Sequence, residues 1–119
     1  MDKINLIEKF KLFNEFWSPH IVGELNGQYV KLAKFKGEFI WHSHANEDEL
    51  FLVVKGILDI EFRDKRVSLN EGEFYIVPKG VEHKPIAHEE THVLLIEPKS
   101  TEQTGGIESD LLVNKQSWI

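Results

Sequence analysis

The sequence predicts an all-β chain, an antiparallel sandwich or barrel, preceded by a single helix. Three observations lead there. From Pro19 to about residue 97 the strand-forming residues come in short runs rather than in 3.6-residue stripes. The runs are separated by close turn signals, the strongest being Asn26-Gly27, a dipeptide suited to a two-residue hairpin turn with positive φ at both positions. No helical stretch interrupts them, so the crossovers that a parallel sheet needs are missing.

The helix is read first. Over residues 3–17, Leu6, Ile7, Phe10, Phe13 and Trp17 fall on one stripe, with Glu8, Lys11 and Glu15 opposite. Asp2 is placed to cap it, and Ser18-Pro19 ends it because the residue before proline is pushed out of the α region. A helix packed on a sheet is expected, since a membrane-surface helix wants a more cationic polar face. Eight strands follow: 20–25, 28–35, 38–44, 49–55, 57–63, 66–69, 73–78 and 91–98. Turn signals separate them at Lys36-Gly37, Lys55-Gly56, Asp64-Lys65, Asn70-Glu71-Gly72, Pro78-Lys79-Gly80 and His88-Glu89-Glu90. Beyond Pro98 the chain turns polar and glycine-rich, then partly apolar, which reads as an extended arm with Trp118 as its anchor. The expected organisation is one domain over 1–119, with a helical segment 1–18, a barrel 19–98 and an arm 99–119.

Charge narrows the function. The net charge is −6, divided into +2 over the first 36 residues and −8 over the rest. No basic run exists to release phosphate counterions, so no nucleic-acid partner is expected. No apolar stretch reaches 18 residues and the N-terminus does not read as a signal peptide, so no membrane partner is expected and a cytoplasmic location is the default. With no cysteine there is no disulfide frame and no thiol chemistry.

Two of the six histidines, His42 and His44, are two residues apart in a strand-like run, a spacing that sends both imidazoles to one face. Glu49 opens the next run and shares a face with Phe51 and Val53. Imidazole nitrogens with a carboxylate suit a first-row transition metal. His83, after the turn at Pro78-Lys79-Gly80, is a fourth candidate if antiparallel pairing returns it to the pair. On these residues alone, a metal centre and a polar strand end beside a solvated acidic loop both stay open. Lys55, Arg63 and Lys79 read as solvated cations, and His88 and His92 as non-ligands.

The segment Gly37-x4-His42-x-His44-x4-Glu49-x6-Gly56 resembles the first cupin motif, and Gly72-x5-Pro78-x-Gly80-x2-His83 the second. The likeness runs over roughly residues 30 to 97 and is greatest to small single-domain bacterial cupins, often named by similarity to mannose-6-phosphate isomerase. The Gly37–His42 spacer is one residue shorter than usual, and Ala87 stands where the second motif commonly has Asn. The resemblance implies a double-stranded β-helix, jelly-roll-like, holding a divalent transition metal (Zn, Fe, Ni or Mn) on His42, His44, Glu49 and His83. It implies a small-molecule ligand such as a sugar, keto acid or phenolic. Isomerase, oxygenase or lyase chemistry and a non-catalytic binding or sensing role both remain open, with no general base assigned. Alternation puts apolar residues on both faces of 49–55 and 91–98, so the outer face needs a cover, and a homodimer is expected.

Overall fold

The computed structural model describes residues 2–113 and 115–119. Helix α1 spans Leu6–Phe10. Strands β1 His20–Leu25, β2 Gln28–Glu38, β3 Glu49–Lys55, β4 Leu58–Glu61, β5 Arg66–Leu69, β6 Phe74–Val77 and β7 Lys84–Pro98 follow. They form one antiparallel sheet in the order β1-β2-β7-β3-β6, with β4 bridging β7 to β5. The all-β expectation holds, with seven strands among the described residues instead of eight.

The helix is shorter than residues 3–17. Its cap is Asn5, whose side chain accepts from the Glu8 amide at 3.0 Å, not Asp2. Past the turn at Lys11-Leu12 the chain leaves the helix. β1 covers the outer edge of β2 only as far as Leu32, so the backbone at Lys34 is free to pair. Phe16 and Lys34 form a parallel bridge there, and the Trp17 amide donates to the Lys34 carbonyl at 2.8 Å. Phe10, Phe13 and Trp17 are buried as the apolar stripe predicts, while Ile7 is exposed.

Two other expectations change. Residues 39–48 are not a strand, since only His42 makes a bridge there, to His83. The turn signal at 88–90 does not break the last strand. Phe35 pairs with Thr91 and Gly37 with Ala87, so Lys36 alone stands against residues 88–90, which bulge outward and are exposed. The bulge lets β7 pair with β2 along its length and serve two strands on its other edge, β4 through residues 84–86 and β3 through residues 92–96. The Asn26-Gly27 hairpin forms as expected, with φ of 50° and 77°.

Inside the curved sheet lies a core of Ala33, Phe35, Phe39, Phe51, Val53, Leu58, Ile60, Phe62, Leu69, Val77, Val93 and Leu95, with Trp17 at its mouth. A smaller cluster of Phe10, Phe13, Val22 and Leu32 seals the outer side of β2. Burying each large side chain contributes roughly 2 kcal/mol. At the β3–β4 turn a side chain has no room: Gly56 has φ 93°, and a Cβ there would sit 2.8 Å from the buried Thr91 hydroxyl.

The arm folds back over the mouth of the barrel. Thr104 is fully buried, Leu111 packs on the inner core, and the Gln103 amide donates to the Trp17 carbonyl at 2.5 Å. Its end is held by backbone rather than by the indole of Trp118. Ile21 donates to Ser117 at 2.8 Å and accepts from Ile119 at 3.0 Å, while Trp118 is 56% exposed with its edge on Tyr29.

Candidate metal centre

The four expected residues meet inside the barrel. One potential ligand atom from each of His42, His44, Glu49 and His83 lies within 4.8 Å of the others, and all four side chains are buried. Glu49 opens β3 on its inward face, in line with Phe51 and Val53. The histidines come from two loops tied together by backbone. His42 donates to the His83 carbonyl at 3.0 Å, His83 returns the bond at 2.9 Å, and the Gly80 amide donates to His44 at 2.8 Å. These bonds, rather than a regular strand, bring both members of the His-x-His pair to one side.

The imidazoles of His42 and His83 are oriented by their own backbone. Nδ1 of His42 lies 2.8 Å from the Ile40 carbonyl and Nδ1 of His83 lies 2.9 Å from that of Val81. A carbonyl only accepts, so each Nδ1 carries the proton and each Nε2 keeps its lone pair. Glu49 Oε1 stands 3.4 Å from Nε2 of both His44 and His83. Two donors bound tetrahedrally to one ion at ~2.1 Å stand ~3.4 Å apart.

Four atoms of the cluster are buried with no hydrogen-bond partner: both nitrogens of His44, Oε1 of Glu49 and Nε2 of His83. Leaving such groups bare costs free energy, and a cation accepting their lone pairs removes the deficit. Burial above all lowers the His42 pKa to about 4, which keeps it neutral and able to ligate near pH 7. Burial pushes Glu49 upward, but the neighbouring Glu97, His44 and His83 together hold its carboxyl well below the usual carboxylate value.

A cavity of about 30 Å³ adjoins His42 and Glu49, walled by Trp17, Phe35, Phe39 and Phe51 and closed by Gln103 of the arm. That is about the liquid volume of one water molecule.

The remaining expected residues stay away. Lys55 and Lys79 are exposed, and Arg63 lies over the Trp41 ring at 3.8 Å and pairs with Glu82. The His88 side chain is 74% exposed, and His92 stacks on Phe10 and bonds Glu90 on the outer side. Two residues escaped the sequence reading. Glu97 lines the small cavity, and Lys31 binds it at 2.6 Å, both nearly fully buried. The signal was available: alternation in β7 puts Glu97 on the face of Val93 and Leu95, and in β2 puts Lys31 on that of Ala33 and Phe35.

Comparison with known proteins agrees with this architecture. Residues 28–97 match the family described as Cupin domain. The chain is similar to a cupin-2 domain containing protein from Shewanella frigidimarina, at 52% identity and a TM-score of 0.80, over 81% of this chain and 94% of that one. It is also similar to a protein from Neisseria meningitidis, at 31% identity and a TM-score of 0.76, over 82% of this chain and all of that one. A Bacillus subtilis protein, YdbB, is 39% identical over 82 residues, 68% of this chain and 73% of its own length. The chain belongs to the cupin domain family.

Proposed function

We propose that His42, His44, Glu49 and His83 bind a divalent transition metal, and that the centre acts on a small polar ligand. The observation that carries this reading is the set of buried, partnerless donor atoms converging inside an otherwise apolar barrel. Three imidazoles and a carboxylate suit Zn, Fe, Ni or Mn. Such a centre supplies Lewis acidity, or oxygen chemistry when the metal is iron. The chain's own residues do the rest. Ile40 and Val81 fix two imidazoles, Phe39 and Phe51 exclude water, and the arm closes the mouth. Isomerase, oxygenase and lyase chemistry all fit such a centre, as does binding without turnover. The relatives named above do not carry the mannose-6-phosphate isomerase label, which therefore supports no choice among them.

Elemental analysis of protein purified without a nickel column tests the reading. About one equivalent of metal per chain is expected in the wild type and a large loss in His83→Ala. A metal-free wild type that also takes up no added Zn²⁺, Fe²⁺, Ni²⁺ or Mn²⁺ would overturn it.

A further inference from the structure

We infer that the cavity between β2 and the arm is a second ligand site, one that takes a small organic anion with a carboxylate or phosphate head. It has a volume of about 400 Å³ and lies against Tyr29 and Lys31, which share one face of β2. That volume falls within the range of small-molecule sites. None of His42, His44, Glu49 and His83 lines it, so the inference stands apart from the metal reading.

Charge selects the ligand. Lys31, Lys99 and Lys115 line the cavity against one carboxylate on its wall, that of Glu102. The chain as a whole has a net charge of −6, so a local excess of cations runs against its general field. Lys31 is 2% exposed, and its bond to Glu97 Oε1 at 2.6 Å uses one of three N–H donors, leaving two for an oxyanion. Thr101, also on the wall, supplies another donor. It is 7% exposed, and its hydroxyl is buried with no hydrogen-bond partner among the described residues. A buried hydroxyl left bare costs free energy, and a head group in the cavity supplies the acceptor it lacks. Both donors are recessed, and a small shift of the arm brings them to the anion, since Thr101 lies outside any regular element.

The rest of the wall calls for an organic body rather than a bare ion. Ile21 and Leu112 line the cavity with Tyr29. The Tyr29 ring is held between cations, with Nζ of Lys31 and of Lys99 at 5.8 and 5.4 Å from its centroid. Lys99 and Lys115 are exposed, and Lys99 also pairs with Glu24 at 3.2 Å. Exposed pairs hold weakly, so these two lysines attract the anion and Lys31 with Thr101 grips it.

Calorimetric titration of the full chain with benzoate and with phenyl phosphate tests the inference, with benzyl alcohol as the uncharged control. One site is expected, with a dissociation constant of about 1 mM or tighter for at least one anion and none for the alcohol. The tighter of the two anions identifies the head group. Thr101→Val removes the hydroxyl and keeps the shape of the side chain. It is expected to melt at or above the wild-type temperature and to bind the anion about tenfold more weakly. If it does not fold, Thr101→Ala carries the same expectation for affinity. Lys99→Gln with Lys115→Gln is expected to weaken binding about threefold and to reduce its dependence on salt. Lys31 is left in place, because its removal strands Glu97 as a lone buried charge. His83→Ala is expected to bind the anion as the wild type does. Four results would each overturn the inference: no saturable anion binding up to about 10 mM, equal binding of benzyl alcohol, unchanged affinity in the folded threonine and lysine variants, or loss of binding in His83→Ala, which would put the anion on the metal.

Discussion

At His42 the side chain keeps its lone pair for the cluster only while it stays neutral, and the surroundings enforce that state. Its pKa falls from an ordinary 6.5 to about 4, through burial above all. Between these values the unfolded chain binds more protons than the folded one at this position, so stability rises with pH and is lost as pH falls from 6.5 to 4. The window spans about 2.5 pH units, or roughly 3 kcal/mol for this group. Denaturant melts of metal-free protein are expected to show that loss, and His42→Gln to lack it. Glu97 is raised by burial and by Glu49 and so pulls in the opposite direction, but it is common to both proteins. The same residue scale shows what was legible. His42, His44, Glu49 and His83 could be chosen because motif spacing marks them. Lys31 and Glu97 are easily passed over, because a charged residue in an alternating strand reads as outward unless its face is traced through its neighbours. Here Ala33 and Phe35, Val93 and Leu95 trace it inward.

Among the elements, the arm and the helix were the least legible, for a shared reason. Both owe their shape to free sheet edge rather than to their own periodicity. Residues 11–17 carry a helical stripe, yet Phe16 and Trp17 pair with the β2 backbone because β1 leaves it uncovered. β1 itself pairs with the end of the arm, Ile21 with Trp118. By contrast β1, β3 and β5 agree with their expected limits, since turn dipeptides fix both ends. The docked arm gives a prediction. Gly105 has φ 64°, and a Cβ there would overlap the Ser43 carbonyl, in the link between the two site histidines. Gly105→Ala is expected to lift the arm while the barrel stays folded. Limited trypsin digestion should then cut after Lys99 roughly tenfold faster, which corresponds to about 1.4 kcal/mol of lost docking free energy. An unchanged cleavage rate would mean that the arm yields locally instead.

For the whole molecule, the outer face of β3, β6 and β7 is the outstanding feature. Leu50, Leu52, Val54, Leu94 and Ile96 are half-buried there, and Phe74 and Ile76 on β6 are 58% and 49% exposed. The N-terminal segment covers part of this surface, since Phe10 and Phe13 belong to a cluster against which Val54 of β3 and Leu94 of β7 also pack. A second copy packed face to face is our proposal for the remainder. Light scattering at micromolar concentration is expected to give twice 13.8 kDa for the wild type and 13.8 kDa for Ile76→Glu. A monomeric wild type would leave this face to some other cover. Metal removal is expected to act more gently than it does on a zinc finger. The inner core contains large side chains besides the histidines, among them Leu58, Ile60 and Leu69. Chelated protein should therefore keep its far-ultraviolet circular dichroism at 25 °C. Zn²⁺ at 100 times its dissociation constant should restore about 2.7 kcal/mol of stability. Among the described residues no helix is long and apolar enough to cross a membrane.

The paired amides of His42 and His83 give the site a built-in clock. Each donates to the other's carbonyl, at 3.0 and 2.9 Å, so neither can trade its hydrogen for deuterium without the two loops parting. Their exchange times in heavy water therefore report how often the ligand cage opens. If the cage is assembled before any ion arrives, chelated protein will protect both amides far more than the exposed bulge at residues 88–90. The addition of an ion will then slow them together, by one common factor, because a single opening frees both.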